Sequence, residues 1–318
     1  MKNLLSRREL IVQSGLCLAA TAAGTAATSA AEPPTGSAAR EPFGYSLNTA
    51  TVMGHKLSLK EEIELAAKAG WKGVEPWVRS IEKYQAEGGS LADIKKRAAD
   101  LGLEVVSAIG FAAWAVDDDA ERASGLEQFR HDMDLVRQIG GTRIAASPAG
   151  INRVAGVDLL RVGERYRKVL ELGREMGIVP QLEIWGSSQS LSRVGEAAMV
   201  AAAADHPDAC LLLDVYHIFR GGSGFESLRL LNGAAMHVFH VNDYPADPPR
   251  EQLNDSHRVY PGDGVAPYDQ ILRTLYATGF RGMLSLEVFN RDYWGQDPLT
   301  VARTGLEKCR AVVERAMA

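Results

Sequence analysis

Four consecutive apolar runs in the second half of the chain each contain one side chain that can bind a metal or move a proton. The runs cover residues 179–185, 210–216, 236–242 and 283–289, and the side chains are Glu183, Asp214, His240 and Glu287. A charge buried in such a run costs several kcal/mol unless it is paired or bound to a metal. Three carboxylates and one imidazole suit a divalent cation such as Mn²⁺, with Mg²⁺, Co²⁺ or Zn²⁺ as alternatives. The pattern therefore indicates a metal site with room for water or substrate.

Each of these four residues also has a simpler interpretation. Taken singly, any one of them is equally well explained as a buried polar side chain that bonds to the backbone. Four such residues at a matching place on consecutive runs are much harder to explain in that way. The shared position therefore favours one common site.

The elements that must position these residues are alternating strands and helices. Eight strands are predicted, at residues 44–49, 73–77, 104–109, 143–147, 179–185, 210–216, 236–242 and 283–289. Helical patterns lie between them, and several end in a glycine before the next strand. Eight such units predict a single (β/α)₈ TIM barrel over residues 43–318, whose active site lies at the carboxyl ends of the strands. An open doubly wound sheet is the alternative, but no Gly-x-Gly-x-x-Gly follows the first strand.

The N-terminal segment has the composition of an export signal. Arg7-Arg8 precede a weakly apolar stretch that ends in small residues, which is typical of a twin-arginine signal peptide over residues 1–31. A linker follows at residues 32–42. We expect export by the twin-arginine machinery to the periplasm or the medium, with no stable membrane association after cleavage. A disordered tail or an uncleaved anchor is the alternative.

The charge of the chain disfavours a nucleic-acid partner. The 318 residues carry a net charge of −5, and residues 1–31 contribute +2 of this, so the rest carries −7. Such a surface repels nucleic acid. The two cysteines beyond the signal, Cys210 and Cys309, are too few to staple a chain of this length. The oligomeric state stays open, a homo-oligomer included.

Several motifs resemble one family. They are Leu-Asp-Val-Tyr-His at 213–217, Phe-His-Val-Asn-Asp at 239–243, Arg-Val-Tyr-Pro-Gly-Asp-Gly at 258–264 and Leu-Glu-Val-Phe-Asn-Arg-Asp-Tyr-Trp at 286–294. Together they resemble the sugar phosphate isomerase/epimerase family of xylose isomerase-like barrels. Within that family the inosose (2-keto-myo-inositol) isomerases are the most similar in motifs, with a comparable Phe-Glu-Ser-Leu at 225–228.

The resemblance implies a role for each candidate residue. Glu183, Asp214, His240 and Glu287 match the family's metal ligands, and the two glutamates also match its proton-shuttling pair. His217 and Arg258 match contacts to substrate oxygens. The alternative interpretation is a surface histidine for the former and a solvated loop charge for the latter.

Two further residues are candidates for contact with the substrate. Glu75 ends the second strand and matches a glutamate common at that place, where it binds a substrate hydroxyl or pairs with an arginine. Trp114 belongs to a group of aromatic residues predicted near the barrel mouth, which also contains Trp77, Phe111, Trp185 and Tyr244. Aromatic rings can stack on the C–H faces of a polyol, although each is individually more often a packing residue.

The expected activity is therefore a metal-dependent isomerase or epimerase that transfers a proton through an enediolate, acting on an inosose, a ketose or a related keto-sugar. The nearest rival is a dehydratase or lyase acting on a keto-inositol or 3-keto-glycoside. A phosphodiesterase is disfavoured, because residues 76–79 and 110–114 lack the histidines of the endonuclease branch. A non-catalytic sugar-binding barrel is the remaining class. Trp185 stands where hydride-shift isomerases carry a lysine, which favours proton transfer.

Overall fold

The computed structural model describes residues 41–318, in which eight strands alternate with helices. The strands are β1 Gly44–Asn48, β2 Gly73–Glu75, β3 Glu104–Val105, β4 Arg143–Ala146, β5 Val179–Glu183, β6 Leu211–Asp214, β7 Met236–Val241 and β8 Met283–Leu286. The helices are α1 Leu59–Ala69, α2 Val78–Ala86, α3 Leu91–Asp100, α4 Asp119–Gln138, α5 Leu159–Met176, α6 Val194–Ala204, α7 Val215–Arg220, α8 Tyr268–Ala277, α9 Arg291–Trp294 and α10 Pro298–Met317. The predicted signal peptide and the linker up to residue 40 lie outside the described residues.

The strands form one parallel sheet that curls into a barrel. Their order is β3-β2-β1-β8-β7-β6-β5-β4, and every neighbouring pair is parallel. The two outer strands of this order meet through the segment that continues β3, where the Ala145 N–H donates to the Ala108 carbonyl at 2.9 Å. The predicted (β/α)₈ architecture is confirmed. Among the described residues, none of the helices combines the length and the apolar character that crossing a membrane requires.

The predicted strands start within one residue of the observed ones but extend too far at their carboxyl ends. The sixth was predicted to reach residue 216, whereas β6 ends at Asp214 and α7 begins at Val215. The cause is a helix cap, because the Asp214 carboxylate accepts a hydrogen bond from the His217 N–H at 2.7 Å. Side-chain capping of this kind overrides the strand preference of an apolar run. The short helices α2, α7 and α9 were not predicted.

Two apolar cores lie on opposite faces of the sheet. The larger core, between strands and helices, contains Leu213 and Phe239, whereas a small core inside the barrel contains Leu212 and Val238. Successive strand residues face opposite sides, so Asp214 and His240, each two residues beyond an inner core residue, also face the barrel interior. They lie directly opposite one another in the register of β6 and β7. Strand alternation thus explains why polar residues at these positions meet.

One buried carboxyl group outside the barrel mouth gives a test of pH-dependent stability. Glu62 on α1 is 5 % exposed, and its Oε2 has no hydrogen-bond partner. Burial raises the pKa of Glu62 from 4.5 to about 8 against the weaker opposing influence of Thr49 and Arg79. The folded state therefore holds this proton more tightly than the unfolded state, so Glu62 lowers stability as pH rises from about 4.5 to about 8.

We expect Glu62→Gln to be more stable than the parent at pH 9, by on the order of 2 kcal/mol, and to differ little at pH 5. Urea denaturation at both pH values measures the difference. Glu64→Gln, a substitution on the solvent side of the same helix, is the control and should change little at either pH. An unchanged pH profile in the Glu62 variant would contradict the assignment.

Candidate active site

An open cavity at the carboxyl ends of the strands is lined by half of the predicted site residues. It has about 620 Å³ of empty space including its mouth. One wall is polar and is formed by Glu183, Ser187, His217, Asp255, Arg258 and Glu287. The apolar wall is formed by Trp77, Ile109, Phe111, Trp185 and Phe289, and it meets the polar wall where the Phe289 ring lies 5.0 Å from the guanidinium carbon of Arg258. Asp214, His240 and Glu75 lie beneath the floor and have no exposed surface.

Three side chains converge as metal donors. One atom each from Asp214, His240 and Glu287 lies within 4.8 Å of the others. The His240 Nδ1 is 3.8 Å from Asp214 Oδ2 and 3.5 Å from Glu287 Oε2, and it has no hydrogen-bond partner although it is buried. A buried ring nitrogen facing two carboxylate oxygens requires a positive charge at that point, which either a proton or a cation can supply. The nitrogen and oxygen donors therefore fit a divalent metal ion.

The imidazole of His240 is surrounded by carboxylates, which shift its pKa. Although burial acts to lower it, the neighbouring carboxylates of Glu75 and Glu287 raise the pKa of His240 to about 10. Burial likewise acts to raise the pKa of Asp214, but the charge of Arg258 and the nearby histidines hold it below its usual range. Burial raises the pKa of Glu287. The pocket thus concentrates negative charge around one imidazole, as a cation-binding site does.

Glu183 lies at the same cavity but stands outside the group of three. It is 3 % exposed, and its Oε2 is buried without a partner. Burial, followed by repulsion from Glu287 and Asp214, raises the pKa of Glu183 to about 8, although His240 opposes the shift. Of the four predicted metal ligands, three have converging donor atoms, and the fourth, Glu183, lines the cavity beside them. A carboxyl group of this kind is present in both protonation states near neutral pH.

Glu75 supports His240 from below and does not face the cavity. Its Oε2 is 2.9 Å from His240 Nε2, and it also accepts hydrogen bonds from Asn48 Nδ2 at 3.0 Å and Ser285 Oγ at 2.7 Å. Burial acts to raise the pKa of Glu75, but the charge of His240 and these hydrogen bonds lower it overall. The carboxylate therefore holds the Nε2 proton and turns Nδ1 towards the donors. The substrate contact or arginine pair expected from the sequence is replaced by this orienting role.

We expect Glu75→Gln to weaken metal binding about 10- to 100-fold while the fold persists, because the amide no longer fixes the protonation and orientation of His240. Isothermal titration with Mn²⁺ or Zn²⁺ measures the change. Glu62→Gln is a matched control, since it makes the same change at a buried glutamate that does not line the cavity. Equal affinities in the Glu75 variant and this control would argue against the orienting role.

Arg258 is the most highly connected side chain of the polar wall. It is 1 % exposed, and its Nη1 donates to Asp214 Oδ2 at 3.2 Å and to Glu287 Oε2 at 2.9 Å. Its Nη2 donates to Asp255 Oδ1 at 2.6 Å. The guanidinium carbon also lies 4.4 Å from the centre of the Tyr216 ring. Arg258 is therefore a buried, ordered cation, and the alternative of a solvated loop charge does not apply.

His217 and Arg258 present donors to the same space. The His217 Nδ1 accepts a hydrogen bond from the Gly186 N–H at 3.1 Å, and burial together with Arg258 lowers the pKa of His217 to about 4. The ring is therefore neutral at pH 7, with its proton on Nε2. That nitrogen lies 3.1 Å from Arg258 Nη2, so the imidazole and the guanidinium group lie side by side in the polar wall. Both groups can donate a hydrogen bond to an oxygen atom of a ligand in the cavity.

Trp114 does not line the cavity. It has no exposed surface, its Nε1 donates to the Ser147 carbonyl at 2.8 Å, and its ring packs against Tyr166 at a centroid distance of 5.8 Å. Trp114 is therefore a packing residue of the core. The substrate contact that the sequence predicted for it is not supported, because the residue does not reach the cavity. The segment after β3 turns its ring away from the mouth, which a sequence pattern does not reveal.

Two site residues were missed. Asn242 donates to Asp214 Oδ2 at 2.7 Å and to the Glu287 carbonyl at 3.1 Å, so it holds the donor group together. Strand alternation from His240 could have identified it, because it lies two residues further on. Asp255 belongs to an irregular loop after β7, and no periodic signal marks it.

The fold and the site define a (β/α)₈ barrel with a candidate metal centre and paired glutamates at its catalytic end. Residues 63–312 match the family described as xylose isomerase-like TIM barrel. The chain belongs to this family. Proteins to which the chain is similar include isomerases and dehydratases, so the family is an enzymatic one.

Three known proteins illustrate the range of the family. Inosose isomerase of Bacillus velezensis is 24 % identical over 84 % of this chain and 96 % of its own length. The 3-dehydroshikimate dehydratase of Pseudomonas aeruginosa is 27 % identical over 73 % of this chain but only 36 % of its own length. The crystal structure of the IOLI protein with a bound zinc atom has a TM-score of 0.79 at 21 % identity and covers 86 % of this chain and 99 % of that one.

Proposed function

We propose that this chain is a metal-dependent isomerase or epimerase that moves a proton between neighbouring carbons, or between faces of one carbon, in a keto-sugar or keto-cyclitol. The observation that carries the proposal is that Glu183 and Glu287 line one cavity, where Glu287 converges with the donors of Asp214 and His240. Similarity to an inosose isomerase over nearly the whole barrel supports an inosose, a ketose or a related substrate.

The ligands of the metal would be Asp214, His240 and Glu287, with Glu183 as the fourth. We propose Mn²⁺, since oxygen donors predominate, with Zn²⁺, Mg²⁺ and Co²⁺ as alternatives. When bound, the metal supplies positive charge that stabilises negative charge on substrate oxygens. The unpartnered His240 Nδ1 and Glu183 Oε2 support this ligand set.

The residues of the chain supply the proton transfer. Glu183, a buried carboxylate whose Oε2 has no partner, can take a proton from a carbon next to the carbonyl group and return it. Glu287, which lines the same cavity, is the partner that serves the other carbon or the other face. His217 and Arg258, whose Nε2 and Nη2 atoms lie 3.1 Å apart, hold a substrate oxygen and fix the orientation of the ring.

A dehydratase is the second candidate. A glutamate that has taken the proton from carbon can pass it to a departing hydroxyl group, so that the same enediolate loses water instead of being reprotonated. The similarity to a 3-dehydroshikimate dehydratase supports this outcome.

The deciding experiment is to incubate the Mn²⁺-loaded protein with inososes, ketohexoses and 3-keto-glycosides in D₂O and to follow each by NMR. Deuterium incorporation with formation of an isomer supports the isomerase, and loss of water supports the dehydratase. If no substrate exchanges, isomerises or loses water, both enzymatic proposals fail and a binding role takes their place.

We also propose that the protein is exported by the twin-arginine route. The support is the sequence of residues 1–31 alone. Cell fractionation of the parent and of a variant with Arg7 and Arg8 replaced by lysine tests it. Unchanged export of the variant would contradict the proposal.

A further inference from the structure

The apolar wall of the cavity is a continuous strip of aromatic rings. Trp77 lies 5.1 Å from Phe111 and 6.0 Å from Phe289 between ring centroids, and Phe111 lies 5.9 Å from Trp185. The strip begins at the floor, where Trp77 is 8 % exposed, and reaches the surface at Phe111, which is 44 % exposed. We call these four residues the aromatic strip.

The aromatic strip is fixed to the donor network. The Trp77 Nε1 donates to Asn48 Oδ1 at 3.1 Å, and the Asn48 amide in turn donates to Glu75 at 3.0 Å and Glu287 at 3.2 Å. The guanidinium carbon of Arg79 lies 4.2 Å from the centre of the Trp77 ring. Because its N–H is already used, Trp77 presents only ring surface to a ligand. Trp77 therefore fixes the inner end of the strip beside the proposed proton-transfer groups.

The charges of the cavity favour an uncharged ligand at this platform. The only cationic side chain that lines the cavity in the described chain is Arg258, and it already faces the carboxylates of Asp214, Glu287 and Asp255. Among the residues that line the cavity, no second cation is available for a phosphate group, because Arg79 lies over the Trp77 ring without lining the cavity. The faces of sugar and aryl rings carry C–H groups or π surface that pack on aromatic side chains without charge.

We propose that the aromatic strip is a second subsite, which holds an uncharged ring attached to the keto-sugar or keto-cyclitol. The substrate class is therefore a glycoside with two rings, one against Glu183 and Glu287 and the other on Phe111 and Trp185. The proposal rests on the proposed function, because that function places the reacting ring at the floor. It explains why a large apolar side chain stays exposed at the mouth.

The test compares two probes that differ only in the second ring. Methyl and phenyl β-D-glucopyranoside are titrated calorimetrically into the metal-loaded parent protein and into Phe111→Ala. We expect the parent to bind the phenyl glycoside more tightly, and Phe111→Ala to lose about 3- to 10-fold in affinity for it. The affinity for the methyl glycoside should change less than about twofold. Tyr276→Ala is the matched control, because Tyr276 is 43 % exposed and lies outside the cavity.

Three results would overturn the second subsite. The first is that the parent binds the phenyl and methyl probes equally well. The second is that Phe111→Ala loses the same affinity for both probes, or none for either. The third is that mass photometry shows a changed oligomeric state in Phe111→Ala. The last would assign Phe111 to a subunit contact. Because equilibrium binding needs no turnover, failure here is distinct from failure of proton exchange, which would remove the proposed function.

Discussion

Glu183→Gln reduces the exchange of solvent deuterium into substrate by about 10³-fold while the barrel stays folded. The reason is that this buried carboxyl group, which lines the cavity and has an unpartnered Oε2, is the proposed proton carrier. An amide of the same shape keeps the packing but cannot accept or release the proton. Deuterium incorporation by NMR, with circular dichroism to monitor the fold, measures the effect.

Glu287→Gln should abolish exchange as well, but with a second defect. Glu287 belongs to the convergent donor group and binds Arg258 at 2.9 Å, so its loss also lowers metal content. Elemental analysis separates the two variants, since Glu183→Gln is expected to retain more metal. Glu62→Gln should exchange as the parent does. Exchange at the parent's rate in either cavity variant would rule out a mechanism that uses both glutamates.

Asp214→Asn lowers metal affinity by at least about 100-fold. The carboxylate has four functions, because Oδ1 caps α7 at the His217 N–H while Oδ2 faces the His240 Nδ1 and accepts from Arg258 and Asn242. Asparagine retains an oxygen for the cap but removes the negative charge from the donor group. Metal content after dialysis and isothermal titration measure the loss.

The milder substitution is chosen because Asp214→Ala would leave the buried Arg258 charge short of a partner and would cost about 3–5 kcal/mol of stability. Asp132→Asn is the control, since Asp132 is also buried, at 2 % exposure, but lies on α4 away from the cavity. Parent-like metal content in Asp214→Asn would remove this residue from the ligand set.

The sequence by itself determined the barrel and the strand ends that carry its chemistry. Alternation of apolar and polar residues is a local property, and it turns every second residue of a parallel strand inward. Once eight such strands were recognised, Asp214, His240 and Glu287 had to meet at one end of the barrel. The helix that begins at Val215 could not be predicted from the apolar run. A single capping hydrogen bond, from the His217 N–H to Asp214, ends the strand and starts the helix there.

Only the tertiary structure decided the depth and partner of each polar group. Glu75 reaches His240 across the barrel, from a strand 165 residues earlier in the chain. The loop after β7 buries Arg258 among carboxylates, while Trp114 turns into the core and Trp77 and Phe111 build the opposite wall. Such contacts depend on sheet register and loop conformation, which join distant segments and leave no periodic trace in the sequence. Local spacing therefore identifies which residues share the barrel end, but only the closed barrel determines which of them orients, which binds and which exchanges a proton.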